Sequence, residues 1–156
     1  MRERRIRRAA AIAATIGSLA VVSALPARAV APSAATPRDD RPGPCPLTRV
    51  DGETTQDFSR RMITCAAERW PVPGGAEKAV CIADRESGLI PTASSPTGQY
   101  LGLFQHSAAA WGDRYLEWTR PAWALKPNAL NGRTNAVVTM RMVNAEGWGP
   151  WAGVGC

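Results

Sequence analysis

The chain has 156 residues, of which 45% are hydrophobic, and a formal net charge of +6 at pH 7. This length allows one domain with a single hydrophobic core. The positive charge is not evidence for nucleic-acid binding, because the first 29 residues carry most of it.

These first residues have the pattern of a secretory signal peptide, spanning 1–29. A basic start, MRERRIRR, precedes an Ala-rich apolar run, and Ala27-Arg28-Ala29 supplies the small residues of a cleavage site. The run is short and ends at Pro26, which disfavours a membrane anchor. Cleavage after Ala29 reduces Lys and Arg from 19 to 13 and Asp and Glu from 13 to 12, leaving +1. We therefore expect a secreted protein with no nucleic-acid partner and no stable membrane anchor, although Arg4-Arg5 leaves a twin-arginine route open.

Residues 30–44 (VAPSAATPRDDRPGP) are rich in Pro, Ala and charged residues, which predicts a flexible linker. No internal repeat is present. Residues 45–156 are then expected to form one domain.

The domain contains four cysteines, Cys45, Cys65, Cys81 and Cys156, which predict two disulfides in an exported chain. Three pairings are possible. We favour Cys45–Cys65, which closes a local loop, and Cys81–Cys156, which ties the C-terminus to a predicted helix. A zinc site is the competing interpretation, but there is no Cys-x-x-Cys pair and His106 is the only histidine.

Hydrophobic periodicity and stop signals predict four helices, at 55–70, 76–87, 107–118 with Ser107 as its cap, and 132–145. Between the second and third, a β-prone piece at 100–104 lies in a region rich in Pro, Ser, Thr and Gly. The predicted fold class is α+β, mostly α.

Glu86 lies one residue from the end of the second predicted helix, in line with the apolar Ala79, Ile82 and Ala83. Partial burial and the negative end of the helix should both raise its pKa. A carboxylic acid that stays protonated near neutral pH can protonate a departing glycosidic oxygen. The alternative is a solvated helix end beside Arg85.

The aromatic and histidine residues allow two interpretations. Trp111, Trp118, Trp148 and Trp151 either line a sugar-binding cleft or belong to the core. His106 alone is expected to be structural or exposed.

Three segments in series resemble the core of soluble lytic transglycosylase domains, which are goose-type lysozyme-like. They are Glu86-Ser87-Gly88, Ser95-Pro96-Thr97-Gly98 and Gly102-Leu103-Phe104-Gln105. The ending GWGPW…C resembles small exported actinobacterial members of this group. The resemblance implies a lysozyme-like single domain with a short loop or β-hairpin region.

The resemblance also implies a substrate and site residues. The substrate would be the β-1,4 bond between N-acetylmuramic acid and N-acetylglucosamine in peptidoglycan glycan strands. Glu86 would be the catalytic acid and base, Ser87 would support it, and Gln105 would contact the glycan. Phe104, Tyr100 and Trp148 are further candidates for substrate contact. No cofactor and no metal is expected, and the protein is expected to be a monomer.

The sequence departs from the family at one place. Many members have an Ala-Tyr-Asn-Ala-Gly stretch whose tyrosine lies near the catalytic acid, whereas residues 142–147 here contain no tyrosine. Tyr100 and Tyr115 are the two tyrosines that could compensate.

Most glycosidases use two carboxylates, and the candidates for a second one are Asp84, Asp113, Glu117 and Glu146. No motif assigns any of them to the site. Arg114 and Arg120 lie near enough in sequence to neutralise Asp113 and Glu117. We therefore expect a one-carboxylate lytic transglycosylase that forms 1,6-anhydro ends. A hydrolytic muramidase and a non-catalytic peptidoglycan-binding protein are the alternatives.

Overall fold

The computed structural model describes residues 43–156, all of which belong to one compact unit. In chain order, this part of the chain forms α1 (Thr55–Arg69), α2 (Gly75–Ser87), β1 (Tyr100–Leu101), β2 (His106–Ser107), α3 (Ala108–Trp118) and α4 (Gly132–Glu146). Single 3₁₀ turns follow α3 and α4, at Pro121–Trp123 and Gly149–Trp151. The described residues are thus mostly helical with a small sheet, as predicted. The predicted signal peptide and residues 30–42 of the linker lie outside them.

Helix α4 is the central element of the domain. Both α1 and α3 pack against it, and α2 packs against α1. The sequence predicts one apolar face for α4, but nearly every residue from Gly132 to Val143 is buried, including the polar Thr134, Asn135 and Thr139. These polar side chains are tolerated because each makes hydrogen bonds.

The two strands form an antiparallel hairpin that pairs Leu101 with His106. Before it, the Ser95–Gly98 turn closes with a 2.8 Å bond from the Gly98 N–H to the Ser95 carbonyl, and Ser95 Oγ accepts from the Tyr100 N–H. This turn leads directly into β1.

The helix ends agree with the predicted signals, with one exception. Gly88 ends α2 in the left-handed region, with φ of 60°. Ser107 does precede α3, but its side chain makes no capping hydrogen bond. The prediction that Ser107 caps α3 through its hydroxyl is therefore wrong.

The favoured disulfide pairing is confirmed: Cys45 bonds to Cys65, and Cys81 bonds to Cys156. The competing zinc interpretation is wrong, because all four cysteines are in disulfides. The packed region starts slightly before the predicted boundary at residue 45. Gly43 and Pro44 are already buried, and Arg133 Nε donates a 2.8 Å hydrogen bond to the Pro44 carbonyl.

No helix within residues 43–156 has the length and apolar character needed to cross a membrane.

An arginine of α4 lies among three tryptophans. The guanidinium carbon of Arg141 is 5.9, 5.9 and 5.1 Å from the ring centroids of Trp70, Trp118 and Trp123. Its Nη1 also donates a 2.6 Å hydrogen bond to the Trp118 carbonyl. The cation therefore joins the end of α1 to the segment that follows α3.

Replacing this arginine should destabilise the fold. We expect Arg141→Ala to lower the free energy of unfolding by about 2–4 kcal/mol, since it removes a charge-assisted hydrogen bond and desolvated cation–π contacts. Arg60→Ala, at an exposed position of α1, is the control and should change little. Urea denaturation measures both. Equal effects of the two substitutions would contradict the structural role of Arg141.

Candidate active site

A cleft of about 360 Å³ lies at the C-terminal end of α2. Its lining residues come from α2, the hairpin, α3 and the last 3₁₀ turn: Glu86, Tyr100, Gln105, Ser107, Arg114, Pro150 and Trp151. The structure thus brings together three of the predicted site residues with four others.

Glu86 is half-buried in the last turn of α2. Burial raises the pKa of its carboxyl, so the predicted direction is confirmed. Among residues 43–156, no hydrogen bond or ion pair engages this carboxyl, and desolvation acts on it unopposed. The contribution of the helix terminus stays a prediction.

Ser87 fastens the last turn of α2 to the hairpin. Its Oγ lies 2.9 Å from the carbonyl oxygens of both Ala83 and Leu103, so the hydroxyl proton is shared between the two acceptors. Ser87 does not line the cleft. It supports Glu86 by holding the helix end against the connection between β1 and β2.

That connection, Gly102–Gln105, is named the floor loop, and Gln105 is the one of its residues that lines the cleft. Leu103 and Phe104 are fully buried and anchor it in the core. Asn135 of α4 accepts a 3.1 Å hydrogen bond from the Phe104 N–H and donates one of 2.9 Å to the Ala129 carbonyl. The floor loop is therefore attached to the central helix by a buried amide.

Gly102 is required at the start of the floor loop for two reasons. Its φ is +79°, and a Cβ there would lie 2.3 Å from the Ala129 carbonyl oxygen and 2.3 Å from Asn135 Nδ2. Neither backbone oxygen nor buried amide can move away easily, so only glycine fits.

Gly102→Ala should therefore lower the free energy of unfolding by about 3 kcal/mol or more, through strain and the broken amide contacts. Gly112 of α3 is a suitable control, because its Cβ position is open and alanine there should stabilise the helix by up to about 1 kcal/mol. Thermal and urea denaturation of both variants measure the difference. A harmless Gly102→Ala would contradict the packing described.

Gln105 ends the floor loop and faces the cleft. Its backbone is left-handed, with φ of 45°, which is uncommon for a residue with a side chain. Its Nε2 donates a 2.8 Å hydrogen bond to the Gly102 carbonyl. Since no hydrogen bond within the described residues uses Oε1, this acceptor is free for a ligand.

Two predicted substrate contacts lie in the core. Phe104 is fully buried, and Trp148 is buried with its Nε1 donating a 2.7 Å hydrogen bond to the Pro73 carbonyl. The tryptophan that lines the cleft is Trp151, whose Nε1 donates a 3.0 Å hydrogen bond to the Phe104 carbonyl. Phe104 and Trp148 each pack against the Trp151 ring, with centroids at 6.0 and 5.9 Å. Phe104 and Trp148 do not line the cleft and are assigned to supporting Trp151, which lines it although it is itself only 6% exposed.

His106 is buried rather than exposed, and it holds Arg114 in the cleft. Arg114 Nη1 lies 2.8 Å from His106 Nδ1, and His106 Nε2 lies 2.8 Å from Thr139 Oγ1. Because a guanidinium can only donate, Nδ1 is the acceptor and the ring proton is on Nε2. Thr139 in turn donates a 2.7 Å bond to the Asn135 carbonyl. Burial, and then the charge of Arg114, lower the pKa of His106 to about 3.

The hydrogen-bonded relay Arg114–His106–Thr139 was not predicted from the sequence. The sequence paired Arg114 with Asp113 and Glu117, but both carboxylates are exposed and Arg114 contacts His106 instead. His106 and Thr139 are 33 residues apart, so no local pattern signals their contact.

Within residues 43–156, Glu86 is the only carboxylate that lines the cleft. The four candidates for a second one are all exposed and none of them lines it: Asp84, Asp113, Glu117 and Glu146. The same part of the chain contains no group of three His, Cys, Asp or Glu residues that could hold a metal ion.

The two candidate tyrosines differ in placement. Tyr115 donates a 2.7 Å hydrogen bond from its hydroxyl to the Leu125 carbonyl and does not line the cleft. Tyr100 lines the cleft and is 45% exposed. Of the two, only Tyr100 is placed to reach a ligand beside Glu86.

No family model matches the chain, and no curated protein and no solved structure matches it either.

The state of His106 can be measured directly, because it is the only histidine. We expect its ring proton signals in NMR spectra to stay constant from pH 8 to pH 5, since the folded pKa is about 3. In urea the same signals should titrate near the ordinary value of about 6.5. The unfolded state then binds more protons, so stability is lost as the pH falls from 6.5 towards 3. A folded-state midpoint near pH 6 would contradict the neutral relay.

Proposed function

We propose that this protein is a secreted peptidoglycan lytic transglycosylase with a lysozyme-like fold. It would cleave the β-1,4 bond between N-acetylmuramic acid and N-acetylglucosamine and leave 1,6-anhydro ends. One observation supports this most strongly: among residues 43–156, Glu86 is the only carboxyl group that lines the cleft, and burial raises its pKa.

Glu86 performs both proton transfers in this proposal. Its carboxylic acid protonates the glycosidic oxygen as the bond to C1 breaks. The resulting carboxylate then takes the proton of the muramyl 6-hydroxyl, whose oxygen closes on C1. The carboxyl group is regenerated as an acid, and no water, metal or cofactor is consumed.

The remaining cleft residues fit a sugar chain. Trp151 lines the cleft and can contact a sugar through the 6% of its surface that is exposed. Gln105 offers the free Oε1 to a hydroxyl or amide N–H of the glycan. Tyr100 lies at the same cleft with an exposed ring.

The lyase is favoured over a hydrolytic muramidase because hydrolysis normally employs a second carboxylate, roughly 5–10 Å from the first. None of the other carboxylates among residues 43–156 lines the cleft. A purely glycan-binding role is disfavoured because it gives no function to Glu86, a half-buried carboxyl with no hydrogen-bond or ion-pair partner among residues 43–156.

The disulfides support the proposed location. Two disulfides and no free cysteine are typical of proteins in oxidising compartments. Together with the signal-peptide pattern of residues 1–29, they favour secretion to the cell wall, where glycan strands would be the partner of a monomeric enzyme.

Glu86→Gln should reduce the initial rate of peptidoglycan clearing by about 100- to 10,000-fold, because glutamine cannot donate the proton. Asp84→Asn on the same helix is the matched control, since Asp84 is exposed and outside the cleft. It should retain the wild-type rate. Both variants should melt as cooperatively as the wild type. Equal clearing by wild type and Glu86→Gln would refute the assignment of Glu86.

A further inference from the structure

Arg114 brings an uncompensated positive charge into the cleft. It is half-buried on α3 and its guanidinium lines the same cleft as Glu86. One nitrogen is held by His106 at 2.8 Å. The other N–H groups of this side chain have no acceptor among residues 43–156, and no carboxylate there forms an ion pair with it.

The Arg114 guanidinium is held by an uncharged residue, His106. His106 is 1% exposed and accepts through Nδ1 because its proton is committed to Thr139. A neutral imidazole fixes the arginine without neutralising its charge. Carboxylates, which would neutralise it, lie on the outer surface of α3 instead.

The charge of Arg114 neither pairs with the Glu86 carboxyl nor accounts for its pKa. The two side chains form no ion pair, and burial alone accounts for the raised pKa of Glu86. A free cation would also oppose cleavage, because the transition state at C1 has oxocarbenium character. A bound substrate that brings an anion to Arg114 would compensate this charge.

We propose that Arg114 recognises a carboxylate on the muramyl residue, and that His106 is the positioning residue that aims the guanidinium. The inference rests on the proposed function. Muramyl residues have two sources of carboxylate: the lactyl group of strands without peptide stems, and the stem peptide itself. The lactyl group is attached to the sugar ring and is therefore nearer to a residue that lines the glycan cleft. Stem-free strands with a free lactyl carboxylate are thus the assigned substrate class.

Binding and cleavage should be measured on three substrates: intact strands, stem-free strands, and stem-free strands whose lactyl carboxylates are converted to methylamides. Arg114→Gln should raise KM on stem-free strands by about 10- to 100-fold, the effect of losing a charge-assisted hydrogen bond. On methylamide strands it should match the wild type. A loss only on intact strands would instead identify the stem carboxylates. An equal loss on all three substrates, or no loss, would overturn carboxylate recognition.

Two control substitutions complete the test. Arg60→Gln, exposed on α1 and outside the cleft, should behave as the wild type on every substrate. His106→Asn places an amide oxygen near the position of Nδ1 and should keep part of the preference for stem-free strands. His106→Leu lacks an acceptor and should lose that preference through KM, with melting curves confirming that both variants fold. Equal preference in these two variants would overturn the positioning role.

The binding measurement separates this inference from the proposed function. Tryptophan fluorescence of Glu86→Gln, which is not expected to cleave, reports binding of stem-free and methylamide strands without turnover. If the wild type cleaves nothing, the proposed function fails, while tighter binding of the free carboxylate still supports Arg114. If cleavage occurs but Arg114→Gln in this background binds both strands as before, only the further inference fails.

Discussion

The buried amide of Asn135 is the interaction on which the cleft depends. Its side chain holds the floor loop through the Phe104 N–H and holds the chain before α4 through the Ala129 carbonyl. Its own carbonyl ends the relay from Thr139. Because unpaired buried polar groups cost about 1–3 kcal/mol each, these bonds specify one arrangement of loop and helix.

From this single residue, hydrogen-bonded connections lead to two ionisable groups of the cleft, Glu86 and Arg114. The floor loop meets α2 through the Leu103 carbonyl and Ser87, and so sets the position of Glu86. The relay through His106 sets the position of Arg114. Glu86, whose pKa is raised by burial, and Arg114, which has no counterion among residues 43–156, are therefore held by one buried framework. The cleft is asymmetric as a result, with an acid supplied by α2 and a cation supplied by α3.

Local pattern was sufficient to predict much of this arrangement. The helices could be predicted from local signals, namely their hydrophobic periodicity and the glycine after α2. The disulfide pairing could be predicted because four cysteines allow only three pairings. The apolar neighbours of Glu86 on α2 singled it out, but its role as catalytic acid was predicted from the resemblance of the three motif segments and stays a proposal. Sequence could not separate Trp148 from Trp151, since which ring reaches the cleft depends on the 3₁₀ turn at 149–151. Asn135 gave no signal either, because a polar residue on a helix is usually solvated and its partner lies 31 residues away.

The central claim is that Glu86 acts without a second carboxylate, so that the muramyl 6-hydroxyl rather than water completes the reaction. Mass spectrometry of the muropeptides released from purified peptidoglycan in ¹⁸O-labelled water tests it most directly. We expect 1,6-anhydro-muramyl ends that contain no ¹⁸O. Reducing ends that contain ¹⁸O would show a hydrolytic muramidase and would contradict this claim.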